Sequence, residues 1–217
     1  MSVVAIDGPA GAGKSTVARA VADALGWDYV DTGAMYRALA LAAVEHRVEP
    51  NDADALGRLA ARVEIDVTGD RAWLEGRDVT ARIRDPDVTG VVSEVSAHPR
   101  VRSVMARRQR DLARQGNVVM EGRDTGTTIA PKAEVKVYLT ASLRARAQRR
   151  ARQLGLPEIP STIAEVESAL EARDRADSGR ATSPLARADD ALTIDSTDRD
   201  VDAVVALIVE RVLGPVP

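Results

Sequence analysis

Eight residues near the start of the chain, Gly8-Pro9-Ala10-Gly11-Ala12-Gly13-Lys14-Ser15, constrain its fold more than any others. They match the G-x-x-x-x-G-K-[ST] pattern of a P-loop, and Thr16 follows. The pattern carries a mechanism only between a strand and a helix, and both flanks are present. Val3–Asp7 is an apolar run of strand length, while Val17, Ala20, Val21, Ala24 and Leu25 recur at helical spacing before the stop signal Gly26. In that setting glycines let the backbone wrap a phosphate with successive N–H groups, and the helix N-terminus adds a favourable dipole. Lys14 reaches the β- and γ-phosphates, and the Ser15 hydroxyl is the expected ligand of Mg²⁺. Gly8 through Thr16 are thus the residues expected to bind a nucleoside triphosphate.

The rest of the chain keeps an α/β rhythm. Trp27–Asp31, Asn117–Met120, Val135–Leu139 and Ala191–Asp195 read as strands. Ala34–His46, Pro99–Arg114, Ser142–Gln153 and Val201–Leu213 read as helices, and Thr162 with Glu165 offers a capping box for a helix through Asp177. Strands separated by helices imply a central parallel β-sheet flanked by helices. Val63–Val67 and Arg71–Leu74 break the rhythm as a hairpin across Thr68-Gly69-Asp70, which reads as an insertion on the core. At 217 residues, one domain with insertions fits better than two.

Composition removes several classes of chemistry. Cysteine is absent, so there are no thiolate nucleophiles, disulfides or cysteine-held zinc. Two histidines, His46 and His98, argue against a His-based triad or a multi-His metal site. No run of 18 apolar residues suggests a membrane span, and the N-terminal stretch lacks the marks of a secretory signal, so the expected setting is the cytoplasm. Net charge is −3, against a general nucleic-acid binder. Yet of 30 basic residues only Lys14, Lys132 and Lys136 are lysines, and the arginines cluster. Seven lie between Arg100 and Arg123 and nine between Arg144 and Arg187, which points to a small anionic ligand.

A GTPase would carry a guanine-reading Asn-Lys-x-Asp, but neither Asn51 nor Asn117 precedes a lysine. A motor ATPase is usually longer, with an acidic residue closing an apolar strand; the nearest such residue, Glu121, opens Glu121-Gly122-Arg123-Asp124-Thr125-Gly126, which reads as a ligand loop. A short chain with clustered arginines favours a small-molecule phosphotransferase, because donor and acceptor bring several negative charges together.

Further motifs sharpen this. Asp31-Thr32-Gly33-Ala34-Met35-Tyr36-Arg37, Pro99-Arg100-Val101-Arg102 with Gln109-Arg110, Glu121-Gly122-Arg123-Asp124-Thr125-Gly126-Thr127, Arg173-Asp174, Asp177-Ser178, Arg180 and Ser183-Pro184-Leu185 follow the P-loop in order. With it they make the chain resemble the bacterial cytidylate kinases, of the nucleoside monophosphate kinases, nearly end to end. One departure is Ile129-Ala130-Pro131, where that family's pattern is more apolar, and nothing is carried over for 51–67.

The resemblance implies that ATP and CMP or dCMP give ADP and CDP or dCDP, with Mg²⁺, in a cytoplasmic monomer. It implies a core of about 1–60 and 86–217, a monophosphate-side insertion of about 61–85 and a lid of about 150–184. It puts Lys14, Arg123 and Arg180 at the reacting phosphates, with Arg37 and Arg123 on the acceptor phosphate. Arg102 and Asp124 meet the cytosine, Ser93 the pentose, and Arg173 and Asp177 the sugar, with Tyr36 beside them. Thr32 either caps the helix after it or touches the base, and one or more of Arg146, Arg149, Arg150 and Arg152 contacts ATP. Plainer readings stand beside these: an Arg123–Asp124 ion pair, a surface bridge between Arg173 and Asp177, and ordinary helix arginines at Arg37 and Arg102. Two other activities also fit the motifs, a kinase of UMP, AMP or shikimate and a nucleotide-binding switch.

Overall fold

A computed structural model describes residues 2–214. Its centre is a five-stranded parallel sheet in the order β2-β6-β1-β7-β8, formed by β1 (Val3–Asp7), β2 (Asp28–Asp31), β6 (Val118–Gly122), β7 (Val135–Thr140) and β8 (Leu192–Asp195). Alternation along the strands sends side chains to two cores. Val118 and Met120 of β6 face one, built on α2 (Thr32–Glu45), while Val4 and Ile6 of β1 and Val119 of β6 face the other. The second core is closed by Val17 and Val21 of α1 (Lys14–Leu25) and by Val204 and Ile208 of α8 (Val201–Leu213). β2 starts one residue later than expected, because the Trp27 N–H is spent on Ala22 O at the end of α1.

Between β2 and β6 the chain builds α2, α3 (Ala53–Arg62), a small antiparallel sheet of β3 (Ile65–Thr68), β4 (Arg71–Leu74) and β5 (Arg77–Asp78), then α4 (Pro86–Val95) and α5 (Pro99–Gln115). The expected hairpin is present as β3 and β4, with Thr68 opposite Arg71. The strand Arg77–Asp78 and the helix α3 are additions to the sequence reading. α2 is buried almost all round, from Ala34 to Ala43, since it lies between the main sheet, the small sheet and α4.

Two capping expectations are corrected. Thr32 does not cap α2; Asp31 does, accepting from the Ala34 N–H at 2.9 Å. Thr162 and Glu165 do not form a capping box, because Pro160 opens α7 (Pro160–Ser178) earlier and leaves Thr162 inside its first turn. α7 packs against α6 (Leu143–Gln153), and through Ile163, Val166 and Leu170 the pair buries Ala10 of the P-loop. No helix among the described residues is long and apolar enough to cross a membrane.

Candidate active site

In an open parallel sheet, ligands bind beyond the carboxyl ends of the strands where the order reverses. Here the chain leaves β1 for β2 on one side and later crosses from β6 to β7 on the other, so the ends of β1 and β6 mark that point. The P-loop leaves β1 there, and the Arg123–Asp124 loop leaves β6 beside it, with Asp7 opposite Gly122. Gly8 is required by close approach: a Cβ would overlap Leu139 O. Gly122 is required likewise, since a Cβ would sit 2.5 Å from Thr125 Oγ1 and 2.7 Å from Thr32 Oγ1.

The P-loop is held from above as well as below. Both backbone groups of Ala10 are taken by the α6–α7 pair: its N–H donates to Asp174 Oδ1 at 3.2 Å, and its carbonyl accepts from Arg146 Nη1 at 3.0 Å. Arg146 Nη1 and Asp174 Oδ2 are themselves 2.5 Å apart. Lys14 folds back onto the loop, donating from Nζ to Pro9 O at 2.9 Å. Burial, with the Arg123 guanidinium second, pushes its ammonium pKa below the usual lysine value.

A cleft of about 520 Å³ opens next to the loop. Of the acceptor-side residues expected from sequence, it gathers Thr32, Tyr36, Arg102, Arg123, Asp124, Arg173, Asp177 and Arg180. Gly122 of β6 and Ser96, just past α4, line the same cleft, as do Asp31, Gly33, Val92 and Glu121. Arg102 and Asp124 form a buried pair at 2.8 Å, with side chains 3% and 9% exposed, and the Arg102 guanidinium stacks 5.3 Å from the Tyr36 ring centre. Burial raises the Tyr36 hydroxyl to about 12, so it stays protonated at neutral pH.

The other charges converge on Asp177. Its Oδ2 accepts from Arg123 Nε at 2.8 Å, and its Oδ1 accepts from Arg180 Nη2. The plain Arg123–Asp124 ion pair and the Arg173–Asp177 surface bridge are therefore both replaced by other partnerships. α7 ends at Ser178, so Arg180 reaches Asp177 from beyond the helix. Arg173 is half-buried, its Nε is buried without a hydrogen-bond partner, and desolvation followed by Arg123 lowers it to about 10. An arginine so exposed to like charge and so short of partners is poised for an anion.

Thr32 lines the cleft but spends its hydroxyl on Glu121 O at 2.6 Å. Arg37 and Ser93 stand off the cleft wall. Arg37 donates to Ile83 O at 3.1 Å and Thr89 Oγ1 at 2.9 Å, and the Ser93 carbonyl accepts from Ser96 Oγ at 3.1 Å. Ser96 escaped the sequence reading, although it lies one helical turn beyond Ser93; its Oγ accepts from Arg180 and its carbonyl from Arg102, both at 3.3 Å. Glu121 is buried, accepts from Tyr29 Oη at 2.6 Å, and is pushed up by burial and by Asp31.

Among the described residues, no group of three or more His, Cys, Asp or Glu could hold a metal alone. The exposed Ser15 hydroxyl, with the Glu121 carboxylate near it, is a hard-oxygen set that suits a magnesium ion carried mainly by phosphates.

A cytidylate kinase of Symbiobacterium thermophilum is 48% identical over 96% of this chain and 95% of its own length. One from Anoxybacillus flavithermus is 44% identical over 97% of both chains. A crystal structure of an uncharacterized protein from Eubacterium ventriosum shares the fold at 12% identity, with a TM-score of 0.53 over 99% of both chains. The family model for cytidylate kinase matches residues 4–213. The chain therefore belongs to the cytidylate kinase family.

Proposed function

We infer that this cytidylate kinase passes the γ-phosphoryl group of ATP to CMP or dCMP, giving ADP and CDP or dCDP. Family membership supports the activity. The observation that carries the acceptor's identity is the buried Arg102–Asp124 pair on the wall of a cleft lined by Arg123, Arg173 and Arg180. Asp124 accepts from the cytosine 4-amino group, and Arg102 donates to the O2/N3 edge. Arg123 and Arg37 hold the acceptor phosphate, Asp177 and Arg173 the sugar with Ser93 at its edge, and Arg180 the moving phosphoryl group.

Phosphoryl transfer asks for two substrates in line, neutralised charge and little water. The acceptor phosphate is already ionised, so no strong base is needed. Lys14 exchanges Pro9 O for the β- and γ-oxygens. Ser15 would hold Mg²⁺, which supplies charge neutralisation on the triphosphate when bound. One or more of the four lid-side arginines contacts ATP: Arg149 lies beside the P-loop, donating to Ala12 O at 3.5 Å, whereas Arg150 lies within electrostatic reach of Arg37, Arg84 and Arg173 on the acceptor side. Arg146 is committed to Ala10 and Asp174 and Arg152 to Glu158, while Arg149 also meets Ser196 and Arg150 has only a 3.4 Å contact with Gln153. The lid, about residues 150–184, closes to exclude water, against an insertion of about 61–85 on the monophosphate side. The same reading has the chain act in the cytoplasm as a monomer, on small molecules alone.

ADP release coupled to NADH oxidation, with ATP and each of CMP, dCMP, UMP, AMP and shikimate in turn, tests this. The expected result is release driven best by CMP or dCMP. Faster release with another acceptor, or release that no acceptor accelerates, contradicts it.

A further inference from the structure

Asp7 ends β1 and immediately precedes the P-loop. Its carboxylate is 4% exposed, and both oxygens are used. Oδ1 accepts from the Thr125 N–H at 2.8 Å, and Oδ2 from the Gly126 N–H at 2.7 Å. These are the first two amides of the short π-type turn Thr125–Ile129, which follows directly on Arg123 and Asp124. The first amides of a helical turn have no acceptor inside it, and a side chain at the residue before normally supplies one. Asp124 holds that capping place and makes no capping bond; its Oδ2 goes to Arg102. An aspartate 118 residues away in sequence caps the turn in its stead.

This arrangement releases Asp124 for other work. If its own carboxylate capped the turn, it would bend back over Thr125 and Gly126 and leave Arg102 unpaired in a buried site. The capping group also belongs to the residue from which the P-loop departs. From Asp7 the main chain runs to the donor's phosphate cradle, and the side chain runs to the loop carrying Arg123 and Asp124. We propose that Asp7 is a positioning residue: it caps the turn after Asp124 from the P-loop side, keeps Asp124 directed at Arg102 and the acceptor, and fixes the spacing of acceptor loop and donor loop. This rests on the reading of Asp124 and Arg123 as acceptor contacts.

Asp7→Asn is the informative change. Its amide oxygen can accept from one of the two N–H groups, while its own NH₂ must face the other. The expected result is a kcat/KM for CMP lower by about 100-fold, the scale of a small misplacement of reacting groups. The KM for CMP should rise while the KM for ATP stays within about twofold, because the P-loop backbone is separately held by Ala10's partners. A double-mutant cycle separates positioning from plain stabilisation. In an Asp124→Asn background, Asp7→Asn should cost well under its single-variant loss, because the group it positions is already gone. Asp7→Glu, which keeps the charge and lengthens the arm by one methylene, guards against loss of folding and should raise the KM for CMP in the same way. Equal losses for CMP and ATP, additive losses in the cycle, or an Asp7→Glu enzyme with wild-type CMP kinetics would overturn the proposal. Asp124→Asn alone reports on the underlying reading: failure of that reading appears in the single variant, and failure of this proposal appears in the Asp7 variants.

Discussion

Arg123 Nε donates to Asp177 Oδ2 at 2.8 Å, joining the loop after β6 to the last turn of α7. The carboxylate is 3% exposed and also holds Arg180, so one buried negative charge organises two arginines of the cleft. Removing one partner of a buried, charged network leaves the others uncompensated, at about 3–5 kcal/mol. Asp177→Ala should therefore lower the melting temperature by several degrees and raise the KM for CMP more than that for ATP. Calorimetry and initial rates check it; an unchanged melting temperature would remove Asp177 from this role.

Lys14 gives the opposite balance. It is buried beside Arg123 with one hydrogen bond, to Pro9 O. Lys14→Ala should keep the fold but lower turnover by more than about 100-fold, the scale of one preorganised charge contact. The pH dependence follows from the lowered pKa. Between that folded value and the model-peptide 10.5, the unfolded chain holds the proton more tightly than the folded one. Wild type should thus gain stability relative to Lys14→Ala as pH rises through this window. Denaturant titrations of both proteins from neutral pH to about 10 measure the difference; a constant difference would contradict the burial.

Arg180 spends one nitrogen, Nη2, on both Asp177 Oδ1 and Ser96 Oγ, which leaves Nε and Nη1 to fork onto phosphate oxygens. A lysine keeps the charge and loses the fork. Arg180→Lys should reduce kcat nearly as much as Arg180→Ala does. A lysine variant with wild-type kcat would reduce Arg180 to a structural ion pair.

Gly122→Ala tests the packing under the acceptor loop. The added Cβ meets two hydroxyls, Thr125 Oγ1 and Thr32 Oγ1, with the Asp7 carboxylate at 3.6 Å behind them. Overpacking of this kind costs about 1–3 kcal/mol. The variant should lose that much stability in a denaturant titration and most of its CMP-dependent rate. Wild-type rates would mean the loop tolerates displacement.

Much of this was legible in the residues because the motifs are local. The Gly8–Ser15 match, with its strand and helix, put the P-loop at the end of β1, and the Arg123–Asp124 motif falls after β6 on the same sheet edge. Partnerships were not legible, because they cross long stretches of chain. Nothing in the spacing of Arg102, Arg123, Asp124 and Asp177 says that Arg102 takes Asp124 while Arg123 takes Asp177. Asp7 closes the apolar run of β1, and only the parallel pairing of β1 with β6 brings it to Thr125. α3 was missed because its apolar positions, Leu56, Leu59 and Ala60, are diluted by alanine and interrupted by Gly57. Ser96 carries no motif of its own, and only its place at the end of α4 brings it to the cleft.

The central claim is that Asp124, held by Arg102, reads the acceptor base. Cytosine offers an amino donor at position 4, where uracil offers a carbonyl. With Oδ2 held by Arg102, the other Asp124 oxygen would face that carbonyl without a donor in a buried site, at roughly 1–3 kcal/mol or more, so CMP should be preferred over UMP by about ten- to several hundred-fold. The amide of Asp124→Asn can turn either a donor or an acceptor to the base. The decisive measurement is kcat/KM for CMP and for UMP at saturating MgATP, in wild type and in Asp124→Asn. The predicted result is a sharply reduced CMP efficiency with a proportionally smaller loss for UMP, so that the ratio shrinks. An unchanged ratio would contradict base reading by Asp124 and leave its carboxylate as no more than the partner of Arg102.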